Sequence, residues 1–106
     1  MIARIWHGII PIEKADEYTE HQNKTGIADY QSTEGNRGVY VLRRIEGEQV
    51  HFLVLSFWDS VESVKKFAGE DYEKARYYPD DVKYLLEFPE KVEHYEVIVS
   101  APPTES

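Results

Sequence analysis

Two stretches of the chain are apolar on both of their alternating sets of positions, and this constrains the fold more than any other feature. The first runs Ile2-Ala3-Arg4-Ile5-Trp6-His7-Gly8-Ile9-Ile10, and Pro11 closes it. The second is Val50-His51-Phe52-Leu53-Val54-Leu55-Ser56-Phe57-Trp58. Their β-branched and aromatic content reads as strand. Successive side chains of a strand point to opposite faces. Ile5 and Ile9 therefore oppose Ile2, Trp6 and Ile10, while Leu53, Leu55 and Phe57 oppose Phe52, Val54 and Trp58. An antiparallel sheet with one wet face alternates apolar and polar residues. Here both faces require cover.

The rest of the chain supplies cover for one face only. Helix formers extend from Glu13 to about Tyr30, with Glu13, Asp16 and Glu17 suiting the positive end of the helix dipole. Ser32 to Asn36 is a loop carrying Gly35. A second strand is predicted over about Arg37–Ile45, and Glu46-Gly47-Glu48 turns it into the third. Asp59 then reads as the cap of a second helix, with Glu62 completing a capping box. That helix breaks near Gly69, and a further helical piece is expected from about Asp71 to just before Pro79. Residues 80–89 carry no clear pattern. Val92–Val99 reads as the last strand, and 101–106 as a frayed tail. The order is β-α-β-β-α-β, an α+β ferredoxin-like split βαβ pattern, in one domain over residues 1–100.

Two helices can cover one face of a four-stranded sheet. Residues 80–89 are too few to cover the other, and an exposed apolar patch of that size does not persist in water. A second copy of the chain is the expected cover. Burying each large side chain contributes roughly 1.5–3 kcal/mol, so several together support self-association. Arg4 and Trp6 are residue types enriched at protein interfaces, so their face is assigned to the dimer and the face of Ala3, Ile5, His7 and Ile9 to a cleft beneath the helices.

Composition removes several function classes. The chain has 106 residues, 42% of them hydrophobic and 13% aromatic, enough for a packed core. Its formal charge is −8 and its basic residues are scattered, so neither nucleic acid nor an anionic membrane is an expected partner. Cysteine is absent, which removes disulfides, thiolate nucleophiles and cysteine metal sites. The apolar start is interrupted by Arg4 and His7 and no cleavage site follows, so it does not read as a signal peptide. No apolar run approaches the ~20 residues of a membrane span, and a cytoplasmic location is the expectation.

Five segments together resemble antibiotic-biosynthesis-monooxygenase-like proteins. They are the first strand with its His7-Gly8, Gly35-Asn36-Arg37-Gly38, Phe57-Trp58-Asp59-Ser60, Tyr77-Tyr78-Pro79-Asp80-Asp81, and Val92-Glu93-His94-Tyr95-Glu96-Val97. The resemblance spans about residues 1–99 and implies a dimeric α/β barrel. It also implies one of two activities. One is oxidation of phenolic or quinol-forming polyketides by O₂ without a cofactor; the other is binding and degradation of haem between sheet and helices. The haem-degrading members carry an Asn, a Trp and a haem-ligating His where this chain has His7, Phe67 and Tyr77. The expected cofactor is therefore none, with haem as the alternative.

His7 is the candidate catalytic base or anchor, because an imidazole exchanges protons near neutral pH. A purely structural histidine is the competing reading. The inward stripe of the first helix, from Ala15 and Tyr18, reaches Gln22, Thr25 and Gly26, and polar and small residues there suggest a lined cavity. Arg76, Tyr77 and Tyr78 are placed to close over it. Ile5, Gln22, Phe67, Arg76, Tyr77 and Tyr78 are the candidate substrate-binding residues, although with eight tyrosines simple packing competes for the last two. The four histidines, His7, His21, His51 and His94, show no i, i+4 pair, so no metal site is expected. No serine has a nucleophile-elbow setting and no glycine-rich phosphate loop exists. Two functions follow: a metal-free oxygenase acting on a small aromatic or polyketide-like molecule, or a non-catalytic dimer that binds a small hydrophobic ligand.

Overall fold

The computed structural model describes residues 1–104. Its elements are β1 (Ile2–Pro11), α1 (Ala15–Lys24), α2 (Gly26–Ser32), β2 (Asn36–Glu46), β3 (Gln49–Trp58), α3 (Val61–Ala68) and β4 (Glu93–Glu96), with 3₁₀ turns at Ile12–Lys14 and Pro79–Lys83. The four strands form one antiparallel sheet in the order β2-β3-β1-β4, the ferredoxin-like arrangement expected from the sequence. The two doubly apolar stretches, β1 and β3, are its central pair, registered from Ile2–Trp58 to Pro11–Gln49.

The helices cover the face of the even-numbered residues. Trp6, Ile10, Val50, Phe52, Val54 and Trp58 are buried there against Ala15, Tyr18, Tyr30, Val64 and Phe67. Aromatic rings interlock across this layer: Tyr18 meets Phe52 edge to face at 5.0 Å, and Trp58 lies 5.5 Å from Phe67. Gly8 belongs to the same face because the Trp6 indole lies across it, in the space that a Cβ would occupy.

The assignment of faces made from the sequence is therefore reversed. Arg4 and Trp6 lie beneath the helices, 2% and 6% exposed, and not on the open face. Ile5 and His7 lie on the open face. Both sets of residues are apolar, so alternation alone identifies the two sets but not which set the helices take. Around Ile5 and His7 the open face carries Leu42 and Leu53, 46% and 37% exposed, with Tyr40 at 59%.

Three local expectations also change. The first helix is two, interrupted at Thr25 (φ −114°, ψ −74°), where Thr25-Gly26 combines two poor helix formers. The cap of α3 is Ser60, whose hydroxyl accepts from the Ser63 backbone N–H at 3.3 Å, while Asp59 is taken by Arg37. Residues 71–78 are not helical. Ala75 N donates to Glu90 O and Val92 N to Glu73 O, both at 2.8 Å, so the segment is drawn out against residues 89–92. The last strand spans only Glu93–Glu96, and of the tail expected over 101–106, residues 105–106 lie outside the described range.

Candidate functional site

Trp6 and Val54 form the floor of a cleft between sheet and helices, and Tyr18, Gln22, Gly26 and Tyr30 form its helical wall. Phe67 on α3 forms the far side, and Arg76, Tyr77, Tyr78 and Asp81 close the mouth. The structure thus gathers five of the sequence-derived candidates, Gln22, Phe67, Arg76, Tyr77 and Tyr78, in one place. Ile5 and His7 are not among them.

The helical wall follows from the stripe. Gln22, Gly26 and Tyr30 are spaced four apart and share one face across the α1–α2 junction. Tyr30, buried and stacked on Phe67 at 4.3 Å, was missed, although extending the stripe by one turn finds it. Asp29 and Asp81 were missed as well, and no local pattern marks them.

A set of polar contacts holds the mouth shut. Arg76 Nη2 lies 3.3 Å from Asp29 Oδ2, and the Tyr78 hydroxyl donates to the same carboxylate. The Arg76 guanidinium also covers the Phe67 ring at 4.8 Å, and its Nη1 donates to Phe67 O at 3.1 Å. Trp6 Nε1 donates to the Tyr77 hydroxyl at 3.4 Å, and that hydroxyl donates onward to Pro89 O. Asp81 accepts from Tyr78 N at 2.6 Å and from His21 Nε2 at 2.8 Å. With the mouth shut, the cleft encloses about 30 Å³, room for roughly one water. Burial raises the Tyr77 and Tyr78 phenol pKa values, and for Tyr78 the bond to the Asp29 carboxylate raises it further. Both stay protonated donors at neutral pH.

The open face carries a roomier hollow of about 450 Å³, lined by residues that include Ile5, His7, Leu42, His51, Leu53 and Glu93. His7 Nε2 and His51 Nδ1 sit 2.8 Å apart with nearly coplanar rings, an N–H···N pair between β1 and β3. That bond leaves neither facing nitrogen free in the paired state. His51 Nε2, a buried nitrogen without a hydrogen-bond partner among the described residues, lies 3.8 Å from the exposed Glu46 carboxylate. Among the described residues, no cluster of three or more metal-binding side chains occurs.

No protein-family model matches the chain, and no curated protein does. Solved structures do match. The haem-degrader MhuD from Mycobacterium tuberculosis, with two haems bound in its active site, superposes at a TM-score of 0.65 with 20% identity, covering 96% of this chain and 100% of that one. A protein described as a candidate antibiotic biosynthesis monooxygenase from Bacillus cereus gives 0.65 and 18%, covering 99% and 98%. An uncharacterised NIPSNAP domain protein from Burkholderia xenovorans gives 0.59 and 16%, covering 97% and 100%. At these identities the likeness is one of fold. The chain has the α+β ferredoxin-like fold of the antibiotic-biosynthesis-monooxygenase-like proteins, as the resemblance in its sequence implied.

Proposed function

We propose that the chain is a monooxygenase-like protein that takes a small aromatic or polyketide-like molecule into the cleft between sheet and helices, and that it works as a homodimer joined through its open sheet faces. The observation that carries this reading is the convergence of Trp6, Gln22, Tyr30, Phe67, Arg76, Tyr77 and Tyr78 around one buried space. Aromatic walls with a few directed polar groups are the composition of small-molecule sites. Entry requires the contacts of Arg76 and Tyr78 with Asp29 to part. Arg76 and Tyr78 come from the irregular segment after α3, where such movement costs least. In a cofactor-independent oxidation the substrate itself is the reductant of O₂, one oxygen atom entering it and the other leaving as water. Phe67 and Tyr77 would stack on the ring, while Gln22 and Arg76 would orient its oxygens.

Haem is the second reading, favoured by the likeness to a fold partner that binds it. The side chains of the closed cleft do not fit it well. No imidazole is among the lining residues, and the Tyr77 and Tyr78 phenols are engaged and pushed away from the tyrosinate form that could ligate iron.

Oxygen uptake with a panel of hydroxylated naphthalenes and anthrones tests the proposal. Uptake stoichiometric with substrate, lost in Tyr77→Ala and retained in His7→Ala, is the expected result. Loss in His7→Ala with Tyr77→Ala intact overturns it. A parallel haem titration that gives a stoichiometric Soret shift, then bleaching with a reductant, puts the second reading first.

A further inference from the structure

Arg4 is the one guanidinium of the chain buried to 2% exposure, and it has no carboxylate partner among the described residues. Its Nη1 donates to the Tyr30 hydroxyl at 3.5 Å and its Nη2 to Lys74 O at 3.4 Å, while its Nε has no partner. The guanidinium also lies 5.4 Å from the Phe67 ring, whose other contacts include Arg76 at 4.8 Å. His94, opposite Arg4 on β4, adds a second buried nitrogen without a partner. A buried charge without a counter-ion is costly, and burying it among neutral and cationic groups makes it more so. Packing alone gives no reason to keep it, because a methionine would fill the same space without that cost.

Tyr30 links this charge to the cleft. Its hydroxyl accepts from Arg4, yet donates to no acceptor among the described residues, and its ring lines the cleft wall. We propose that Arg4 and Tyr30 form an oxyanion subsite: the ligand of the cleft carries an anionic oxygen on a small aromatic ring, bound by the Tyr30 O–H with Arg4 as its counter-charge. Burial keeps the Tyr30 phenol protonated, as a donor must be, and the neighbouring Arg4 moderates that rise while sharpening the O–H as a donor. The guanidinium itself stays charged at any physiological pH. Tyr30 is a binding residue in this scheme, and Arg4 acts through it. The inference rests on the cleft being the ligand site, and it narrows the ligand to a phenolate or an aromatic carboxylate.

Three probes of similar shape separate these possibilities: 4-nitrophenol at mildly alkaline pH, where it is ionised, 4-nitrobenzoate, and the neutral 4-nitroanisole. Titrated into the 106-residue chain, at least one anion is expected to bind about tenfold or more tighter than the neutral isostere, as a charge-assisted hydrogen bond implies. Whichever anion shows that preference identifies the source of the oxygen. The preference is expected to fall to about one in Tyr30→Phe and in Arg4→Met, with circular dichroism confirming the fold. If Arg4→Met fails to fold, Tyr30→Phe decides alone. Equal binding of all three probes, or a preference that survives Tyr30→Phe, overturns the subsite and leaves the cleft reading standing. Binding of none of them overturns both.

Discussion

The two faces of the sheet are built from the same strands, one residue apart, and they differ in how they are finished. Beneath the helices, Trp58, Phe52 and Tyr18 are closed into a core, with Trp58 and Phe52 at 0% and 1% exposure. On the other side, Leu42, Leu53 and Tyr40 remain in solvent around a polar His7–His51 pair. The covered face spends its apolar surface on folding one chain and keeps two incompletely matched polar groups, Tyr30 on the cleft wall and Arg4 bonded to its hydroxyl. The open face has little left to do within one chain, so its apolar surface is available to a second. Alternation along two strands thus sets the proposed ligand cleft and the proposed interface on opposite faces of one sheet.

The largest expected effect is on the covered face. Trp58→Ala removes the most deeply buried ring and is expected to cost about 3–5 kcal/mol in chemical denaturation. Next is the open face. Leu53→Asp should leave the secondary structure intact but convert the proposed homodimer to monomer in sedimentation equilibrium; a wild type that sediments as a monomer, or a dimer that survives the substitution, breaks the comparison. Then comes the mouth of the cleft. Asp29→Ala removes the carboxylate shared by Arg76 and Tyr78. It is expected to cost about 1–2 kcal/mol and to raise proteolysis within residues 70–92.

A pH effect follows from His94. Burial, and then the Arg4 charge, hold its pKa below the usual histidine value against a weaker pull from Glu73. The unfolded chain therefore takes up a proton more readily than the folded one. Its contribution to stability is whole above the unfolded value of about 6.5 and declines as pH falls through that value. Thermal melts of the wild type should drop between about pH 7 and 5, and His94→Asn should flatten that decline. The buried Tyr30 phenol acts at the other end. Its raised pKa means stability is lost as pH rises above the unfolded value of about 10. The smallest effect is expected from His7→Ala, a few tenths of a kcal/mol in the stability of the fold, because the residue is exposed.

Much of this was legible in the sequence. The doubly apolar strands announced a sheet needing two covers, and the stripe through Gln22 with the Arg76-Tyr77-Tyr78 run led to the cleft. Which face received the helices was not legible, because both sets of residues are apolar. Composition statistics for interfaces pointed the wrong way for Arg4, whose burial depends on Tyr30 and the Lys74 carbonyl, 26 and 70 residues distant. Local propensity also failed over residues 71–78. Glu, Lys and Ala favour a helix there, yet the backbone pairs with Glu90 and Val92 instead, and tertiary contacts decided the outcome.

The most direct test of which face holds the ligand is one NMR titration of the intact protein with 4-nitrobenzoate, following the Trp6 indole N–H and the His7 ring protons together. Trp6 Nε1 sits at the floor of the cleft against Tyr77, and His7 lies across the sheet on the open face. A saturable shift of the Trp6 resonance with the His7 protons unmoved is the predicted result. A saturable shift at His7 with Trp6 unmoved would contradict the account and place the ligand on the open face.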